Sequence, residues 1–271
     1  MTMQAHPPHL ESLRLRGGGA EAVRALGDRV LWCDLYDAHG SGIYDDTGAM
    51  DSSEVRELIR LVRPRSGPVL ELAAGSGRLT LPLLATGHDV TALELSPHML
   101  DRLQTTVAGT RHRQRLDLVC ADMADFELGR TFATIVLGAS SITLLKPSQR
   151  RGLYACVQRH LGSGGSWFLS LAEPLGSEED GCDDTHDLLG ASGTAYQLHQ
   201  FWEPGEERRT ICVHPVDTGQ SQVPVCVSSP YVVSRRLLNA ELDDAGLRVV
   251  AEHRVADGGG VVRDVMLEVQ Q

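Results

Sequence analysis

Lysine is nearly missing from this chain: of 25 basic residues only Lys146 is a lysine and the rest are arginines, which reads as a codon-composition bias and not as a binding signal. Positive charge is scarce as a whole, since 36 acidic residues leave a net charge of -11 over 271 residues. Phosphate backbones are gripped by basic surfaces, so nucleic acid in bulk is an unsuitable partner. Long apolar runs are missing too. A membrane span needs about 18 consecutive apolar residues and a secretory signal needs an apolar stretch behind a basic start; neither occurs, so no membrane segment and no signal peptide are expected. The six cysteines (Cys33, Cys120, Cys156, Cys182, Cys212 and Cys226) include no C-x-x-C pair and no zinc-ligand spacing. The expectation is therefore no disulfide framework, no metal site and a reducing, cytoplasmic location. Nothing in the composition sets an oligomeric state. The length suffices for one large α/β domain, with or without a cap.

What is present is concentrated between Pro68 and Pro97. Val69 to Leu72 is a short apolar run interrupted by Glu71, and it stops at Ala73-Ala74-Gly75-Ser76-Gly77, where small residues permit a tight turn close to a ligand. Leu79, Leu83 and Leu84 then recur on one helical face until Gly87, and Asp89 to Leu93 is a second apolar strand ending in Glu94. This is half of a mononucleotide-binding unit. The glycine turn lies beside a helix N-terminus, and Glu94, at the tip of the second strand, is placed to accept both hydroxyls of a ribose. Dinucleotide enzymes want a third glycine; here the pattern is Gly75-x-Gly77-x-x-Thr80, with Glu71 just ahead of the loop. A carboxylate there repels a pyrophosphate and suits a cationic ligand carrying an amino group and a sulfonium.

Glu71, Ala73, Gly75 and Gly77 resemble motif I of the class I S-adenosylmethionine-dependent methyltransferases, with Ala73 standing where that family keeps its first glycine and Arg78 following Gly77. The resemblance covers roughly Val55 to Gly165 with specific motifs. It implies an α/β fold, a Rossmann-like seven-stranded sheet with helices on both faces and a last strand running antiparallel, and S-adenosyl-L-methionine as cofactor. It places Glu94, with Leu95 beside it, at the ribose. Asp122 and Met123, which follow the strand Leu116 to Cys120, fall where the family binds the adenine amine and a ring nitrogen; a turn aspartate is the plainer alternative for Asp122. Gly138, Ala139 and Ser140 follow the strand Phe132 to Leu137, at the crevice where open α/β sheets bind ligands, near the methionine part and the methyl group. Ser140 or Ser141 capping the next helix is the alternative. The family's N-terminal aromatic often closes over the cofactor, so Tyr36 or Tyr44 is a candidate contact, set against packing tyrosines in a hinge loop.

The rest of the chain is read as follows. Residues Met1 to about Gly19 are a polar lead-in, Ala20 to Tyr36 has helical spacing, and Tyr36 to Thr47 is rich in turn residues. Ser52 or Ser53 caps a helix with Val55, Leu58, Ile59 and Val62, and Ser96-Pro97 opens another. Ser148 to Leu161 is a helix with a solvated arginine face (Arg150, Arg151, Arg159), and Gly162 to Gly165 turns into the strand Trp167 to Leu171. Gly176 to Asp187 reads as an acidic loop. A hairpin (Thr194 to Trp202, Thr210 to Val216) and a strand (Val223 to Val227) follow as an antiparallel cap, then the helix Ser234 to Gly246 with Leu237, Leu238 and Leu242 inward. Leu247 to Val255 and Val261 to Val269, joined by Gly258-Gly259-Gly260, complete the sheet. The division expected is 1–54 for the lead-in and lid helices, 55–173 with 231–271 for the cofactor-binding core, and 174–230 for the substrate cap.

Methyl transfer from a sulfonium is an in-line displacement that needs alignment and exclusion of water, plus a base if the nucleophile carries a proton; no metal is called for. Candidates to orient or deprotonate an acceptor are His186, His199, His214 and Glu173, with Tyr44 a further catalytic candidate; for each histidine a structural or merely exposed role is the plainer alternative. A cationic amine would be attracted to the acidic loop. The layout, including the closing Ala245 to Val249 segment, is similar to small tailoring methyltransferases of bacterial secondary metabolism that N-methylate the terminal amine of ribosomally made peptides, of the cypemycin and daptide types. This implies a small-molecule or peptide amine as partner. The alternatives are O-methylation of a small metabolite and, outside the class, an NAD(P)-dependent oxidoreductase or an inactive cofactor-binding scaffold.

Overall fold

The computed structural model describes residues 15–37, 40–48, 52–174, 181–216, 219–256 and 262–271. The glycine joint at 258–260, the lead-in up to residue 14 and the first half of the expected acidic loop lie outside them. The chain divides into two compact units, one of residues up to Asp51 with Gly176–Val232, the other of Ser52–Leu175 with Val233–Gln271.

The second unit holds the mixed sheet. It begins with helix α3 (Ser53–Val62), followed by β2 (Val69–Leu72), α4 (Thr80–Thr86), β3 (Val90–Glu94), α5 (Pro97–Val107), β4 (Leu116–Cys120), β5 (Phe132–Leu137), α6 (Pro147–His160) and β6 (Leu161–Pro174). After the excursion into the other unit come α7 (Arg235–Asp244), β11 (Arg248–Ala256) and β12 (Val262–Gln270). Seven strands run in the order β11-β12-β6-β5-β2-β3-β4. β2 is parallel to β3 and β5, and β12 is antiparallel to both β6 and β11. The local signals explain the boundaries. Gly87 ends α4 in the left-handed region at φ 106°, Ser96 caps α5 by accepting the Met99 amide, and Ser234 caps α7 by accepting the Leu237 amide. Both faces of the central strands are covered, so β2 is buried at all four residues. Leu58 and Val62 of α3, Leu83 and Leu84 of α4, and Phe168 and Met266 from the sheet form one apolar cluster.

Several expectations are corrected here. β6 starts at Leu161, so Gly162 to Gly165 is a bulged, extended entry to a long strand and not a separate turn; β12 pairs with it from Trp167 to Pro174 and holds it extended. Arg150 is not solvated. It is 2 % exposed and forms a bidentate pair with Glu241 of α7, whose carboxylate also accepts the Tyr154 hydroxyl. Leu238 and Leu242 are buried as expected, but Leu237 is 40 % exposed.

The first unit has helix α1 (Gly17–Leu26), β1 (Val30–Asp34), helix α2 (Gly40–Gly48) and strands β7 (Cys182–Leu189), β8 (Ala195–Trp202), β9 (Thr210–Pro215) and β10 (Val223–Ser228). Its five strands run β1-β10-β9-β8-β7, all antiparallel neighbours except β1, which is parallel to β10. The hairpin and the third strand match the sequence reading. Four features differ from it. The lead-in becomes helical at Gly17, because Asp183 accepts the Gly18 amide at 3.0 Å and the missing Cβ atoms let α1 lie against β7 and β8. Val30 to Asp34 is a strand, not the end of a helix. The second half of the acidic segment is strand β7, an edge strand in which Asp183, Thr185, Asp187 and Leu189 are the exposed residues. The turn-rich segment after Tyr36 contains α2.

Candidate functional site

The order of the mixed sheet reverses between β2 and β5, and open α/β sheets bind their ligands outside the carboxyl ends of the strands at such a point. The backbone marks the same place. Among the described residues, those other than glycine with positive φ are Ala73, Ala139 and Ser140, each at 53°. Ala73 follows β2 and the other two follow β5. A side chain in the left-handed region costs on the order of 1 kcal/mol, and such strain gathers at functional sites. In the turn itself Gly75 and Gly77 have φ of 57° and 103°, and a Cβ on Gly77 would lie 2.5 Å from Leu103 Cδ1. Only glycine fits there.

Three acids stand in or just after adjacent strands. Glu71 lies inside β2, paired with Ala92 and Val136, 2 % exposed, and its Oε2 accepts the Thr80 hydroxyl at 2.6 Å. Burial pushes its pKa up to about 8; Thr80 and Arg78 pull it down, and Glu54 and Glu94 push it further up. Glu94 ends β3, where its Oε2 accepts the Gly75 amide and its Oε1 the Ser96 amide, both at 2.9 Å. The carboxylate is thus fixed by backbone, with a lone pair left on each oxygen for a diol. Leu95 beside it is 65 % exposed. Asp122 follows β4 and accepts the Ala124 amide at 2.8 Å in an Asx turn, while Met123 is buried. On the β5 side, Ser140 donates its amide to Ser170 Oγ at 3.1 Å and accepts the Ala172 amide on its hydroxyl at 2.7 Å. Its side chain therefore ties β5 to β6, leaving the backbone of Gly138 and Ala139 at the crevice.

The proposed proton acceptors separate. Glu173 is engaged by Arg235 at 2.9 Å and Arg263 at 2.6 Å, so it is a buried ion-pair partner and no longer a candidate base. His186 pairs with Asp184 at 2.7 Å. His199 and His214 meet, Nε2 to Nε2, at 3.3 Å. Pro215 carbonyl faces His214 Nδ1, which fixes a proton there; His199 then donates to His214, and Thr185 hydroxyl donates to His199 Nδ1. Burial, then the neighbouring His214, lowers the basicity of His199. Both rings lie on the face of the small sheet covered by α1, where a Cβ on Gly19 would be 3.0 Å from that of His199. Ile43 of α2 packs with Cys33, Tyr196, Val213 and Cys226 on the opposite face, since Val213 alternates with Cys212 and His214. Tyr44 of α2 meets Tyr36 at 5.5 Å between ring centroids, and Asp46 pins the helix to the β7–β8 turn through Ser192 and Tyr196. The structure thus joins the two histidines and joins the two tyrosines, but puts the pairs on opposite sides of one sheet.

Sequence reasoning missed Glu54. It sits in the first turn of α3, and its carboxylate accepts the Ala139 amide at 2.7 Å and pairs with Arg78. An acid in a first helical turn reads as a dipole partner, and nothing local shows that it reaches residues 24 and 85 positions away.

The solved structure of the glycopeptide N-methyltransferase MtfA with S-adenosyl-L-methionine superposes on 95% of this chain and 98% of its own, with a TM-score of 0.69 and 35% sequence identity. The chain belongs to the class I S-adenosylmethionine-dependent methyltransferases. A family model for a methyltransferase domain matches residues 69–165 of this methyltransferase. A curated relative from Streptomyces venezuelae, dTDP-3-amino-3,4,6-trideoxy-alpha-D-glucopyranose N,N-dimethyltransferase, is 33% identical over 136 residues, 49% of this chain and 53% of the relative. The chain thus spans about half the length of that relative. The CcbJ methyltransferase from Streptomyces caelestis shares the fold, at TM-score 0.73 and 18% identity over 88% of this chain and 96% of its own. Among the described residues no helix is long and apolar enough to cross a membrane.

Proposed function

We propose that this methyltransferase methylates an amine nitrogen of a peptide or amino-sugar natural product. Support for the amine comes from the glycopeptide N-methyltransferase at 35% identity over nearly the whole chain and from the amino-sugar N,N-dimethyltransferase over half of it. Support for the donor site is the acidic surplus around Glu71 at the glycine turn: Glu54 and Glu94 both act on it electrostatically against one guanidinium, Arg78, which itself pairs with Glu54. A ligand with a sulfonium and an ammonium fits that donor set, and a dinucleotide pyrophosphate does not. S-adenosylmethionine, when bound, supplies an electrophilic methyl group on sulfur. Glu71 would hold the ammonium end, Gly75 and Gly77 give the close backbone approach with Ala73 beside them, Glu94 the ribose diol, Asp122 and Met123 the adenine, and the Gly138–Ala139–Ser140 turn the methionine portion.

An amine attacks only when uncharged, and the nitrogen sheds a proton after transfer. We assign acceptance of that proton to the His199–His214 pair, the hydrogen-bonded imidazole pair among the described residues, in which burial and then the neighbouring ring lower the basicity of His199. The burial of both rings beneath α1 favours a second reading, in which the pair only anchors that helix. His214→Asn separates the two. A proton acceptor gives a fall in kcat of about 100-fold or more with little change in melting temperature; an anchor gives the reverse.

The acceptor class is tested by mass spectrometry on a panel with S-adenosylmethionine: a glycopeptide with a free N-terminal amine, an amino-sugar nucleotide, a linear peptide with a free terminal amine, and a phenol. The ribosomal peptides suggested by the layout are one member of the amine class and correspond to the linear peptide. Methylation of nitrogen in one of the first three is expected. Methylation of the phenol oxygen alone would replace the amine reading with the O-methyltransferase one.

A further inference from the structure

The cofactor crevice is lined by two turns, one after β2 and one after β5, and neither strand is long enough to fix them. β2 and β5 stop pairing at Leu72 and Leu137, and both turns then enter the left-handed region. Beyond that point each turn is held to its outer neighbour, the first to β3 through the Ala74 amide on the Leu93 carbonyl at 3.1 Å and the Gly75 amide on Glu94, the second to β6 through Ser140, and none of these bonds joins one turn to the other. Ala139 in this conformation aims its N–H away from the neighbouring strands, where it would be an orphan donor. Glu54 Oε1 accepts it at 2.7 Å. The other oxygen of the same carboxylate pairs with Arg78, the residue that follows Gly77 in the β2 turn. Gly138 presses on the same spot, since a Cβ there would lie 2.3 Å from Leu79 Cδ1 and 3.0 Å from Glu54 Oε1. Glu54 itself is 8 % exposed, held on α3 by the packing of Leu58, Leu61 and Val62 into the core.

We infer that Glu54 is a positioning residue for cofactor binding: a single carboxylate on α3 clamps the β2 turn through Arg78 and the β5 turn through the Ala139 amide, and so sets the width of the crevice between them. The inference rests on reading this crevice as the S-adenosylmethionine site. Two properties follow from the chemistry of the clamp. The bond to Ala139 needs an acceptor but not a charge, so glutamine keeps it. The bond to Arg78 needs the charge, so glutamine loses that half. Leucine, of similar volume, loses both and strands the amide.

The test is calorimetric titration of the full-length protein with S-adenosylhomocysteine, on the wild type, Glu54→Gln and Glu54→Leu. Binding by the wild type checks the site reading by itself. The clamp then gives a Kd raised about ten-fold or more in Glu54→Leu, with Glu54→Gln between it and the wild type, and in turnover the KM for S-adenosylmethionine rises by a larger factor than kcat falls. Equal affinity in all three proteins, or equal loss in Glu54→Gln and Glu54→Leu, would overturn the role of the Ala139 bond. Should Glu54→Leu fail to fold, amide hydrogen exchange at Ala139 decides on the wild type. Slow exchange without cofactor, and faster exchange in Glu54→Gln than in the wild type by less than ten-fold, fits the clamp; exchange at the rate of an open loop contradicts it.

Discussion

Glu71 is a carboxyl with its charge taken away by burial, at a place where a cationic ligand would give it back. Its pKa lies above its ordinary value, so the unfolded chain ionises this group above pH 4.5 while the folded chain keeps the proton until about pH 8. Stability from this group is therefore lost as pH rises through that window, and Glu71→Gln should flatten the slope, stabilising the ligand-free protein by roughly 4 kcal/mol at most near pH 7.5. Urea melts of both proteins at several pH values check it. A bound ammonium favours the ionised form, so S-adenosylmethionine binding should release a proton near pH 7 and tighten toward pH 8. Calorimetry in buffers of different ionisation enthalpy reads that proton, and Glu71→Gln should abolish it. Glu94→Ala removes the backbone-fixed diol acceptor and should weaken cofactor binding by about 1 to 3 kcal/mol in the same titration. These acids were visible in the sequence because each interrupts or ends an apolar run at a fixed distance from the glycine pair. Glu54 was not, because its partners are reached only after α3 folds back over two strand ends.

At the level of elements, the helices with a polar residue at their start were readable: Ser96 and Ser234 do cap α5 and α7, whereas Ser52 stands before α3 without a side-chain cap bond. Of the strands of the small unit, the hairpin β8–β9 and the strand β10 were readable, and β1 and β7 were not. β1 pairs with residues nearly 200 positions away, Val30 with Val223, and a short apolar run such as Val-Leu-Trp-Cys fits helix or strand equally well until that partner is known. β7 was taken for a loop because of its acids, two of which, Asp183 and Asp187, lie on the exposed positions of an edge strand, where charge is normal and guards against pairing with another chain. Arginines on α6 were expected in water for the same reason of composition. Arg150 instead joins α6 to α7 through Glu241; burial alone would push that carboxyl up, yet the bonds from Arg150 and Tyr154 outweigh it and hold it below its ordinary value. Glu241→Ala takes the carboxylate away from a buried guanidinium and should destabilise the protein by about 3 to 5 kcal/mol, seen as a lower urea midpoint. The double change Arg150→Met with Glu241→Leu should recover much of the loss.

Across the whole molecule, the mixed sheet and its strand order follow from short connections and right-handed crossovers between apolar strands, which is why the cofactor-binding half was recoverable from one sequence. The other unit was not. Residues up to Asp51 and Gly176–Val232, read as separate pieces, share one sheet because β1 inserts beside β10, and that joins two stretches of chain with no common sequence signal. We propose that Glu71, Glu94 and Asp122, in or just after three neighbouring strands, hold the tail, sugar and base of one S-adenosylmethionine. A crystal structure with S-adenosylhomocysteine bound measures it most directly. The nucleoside should lie along the carboxyl ends of β2, β3 and β4, with Glu94 on both ribose hydroxyls, the adenine at Asp122 and Met123, and the amino group toward Glu71. A ligand seated elsewhere in the chain, or lying in the crevice with its ribose turned from Glu94, would contradict it.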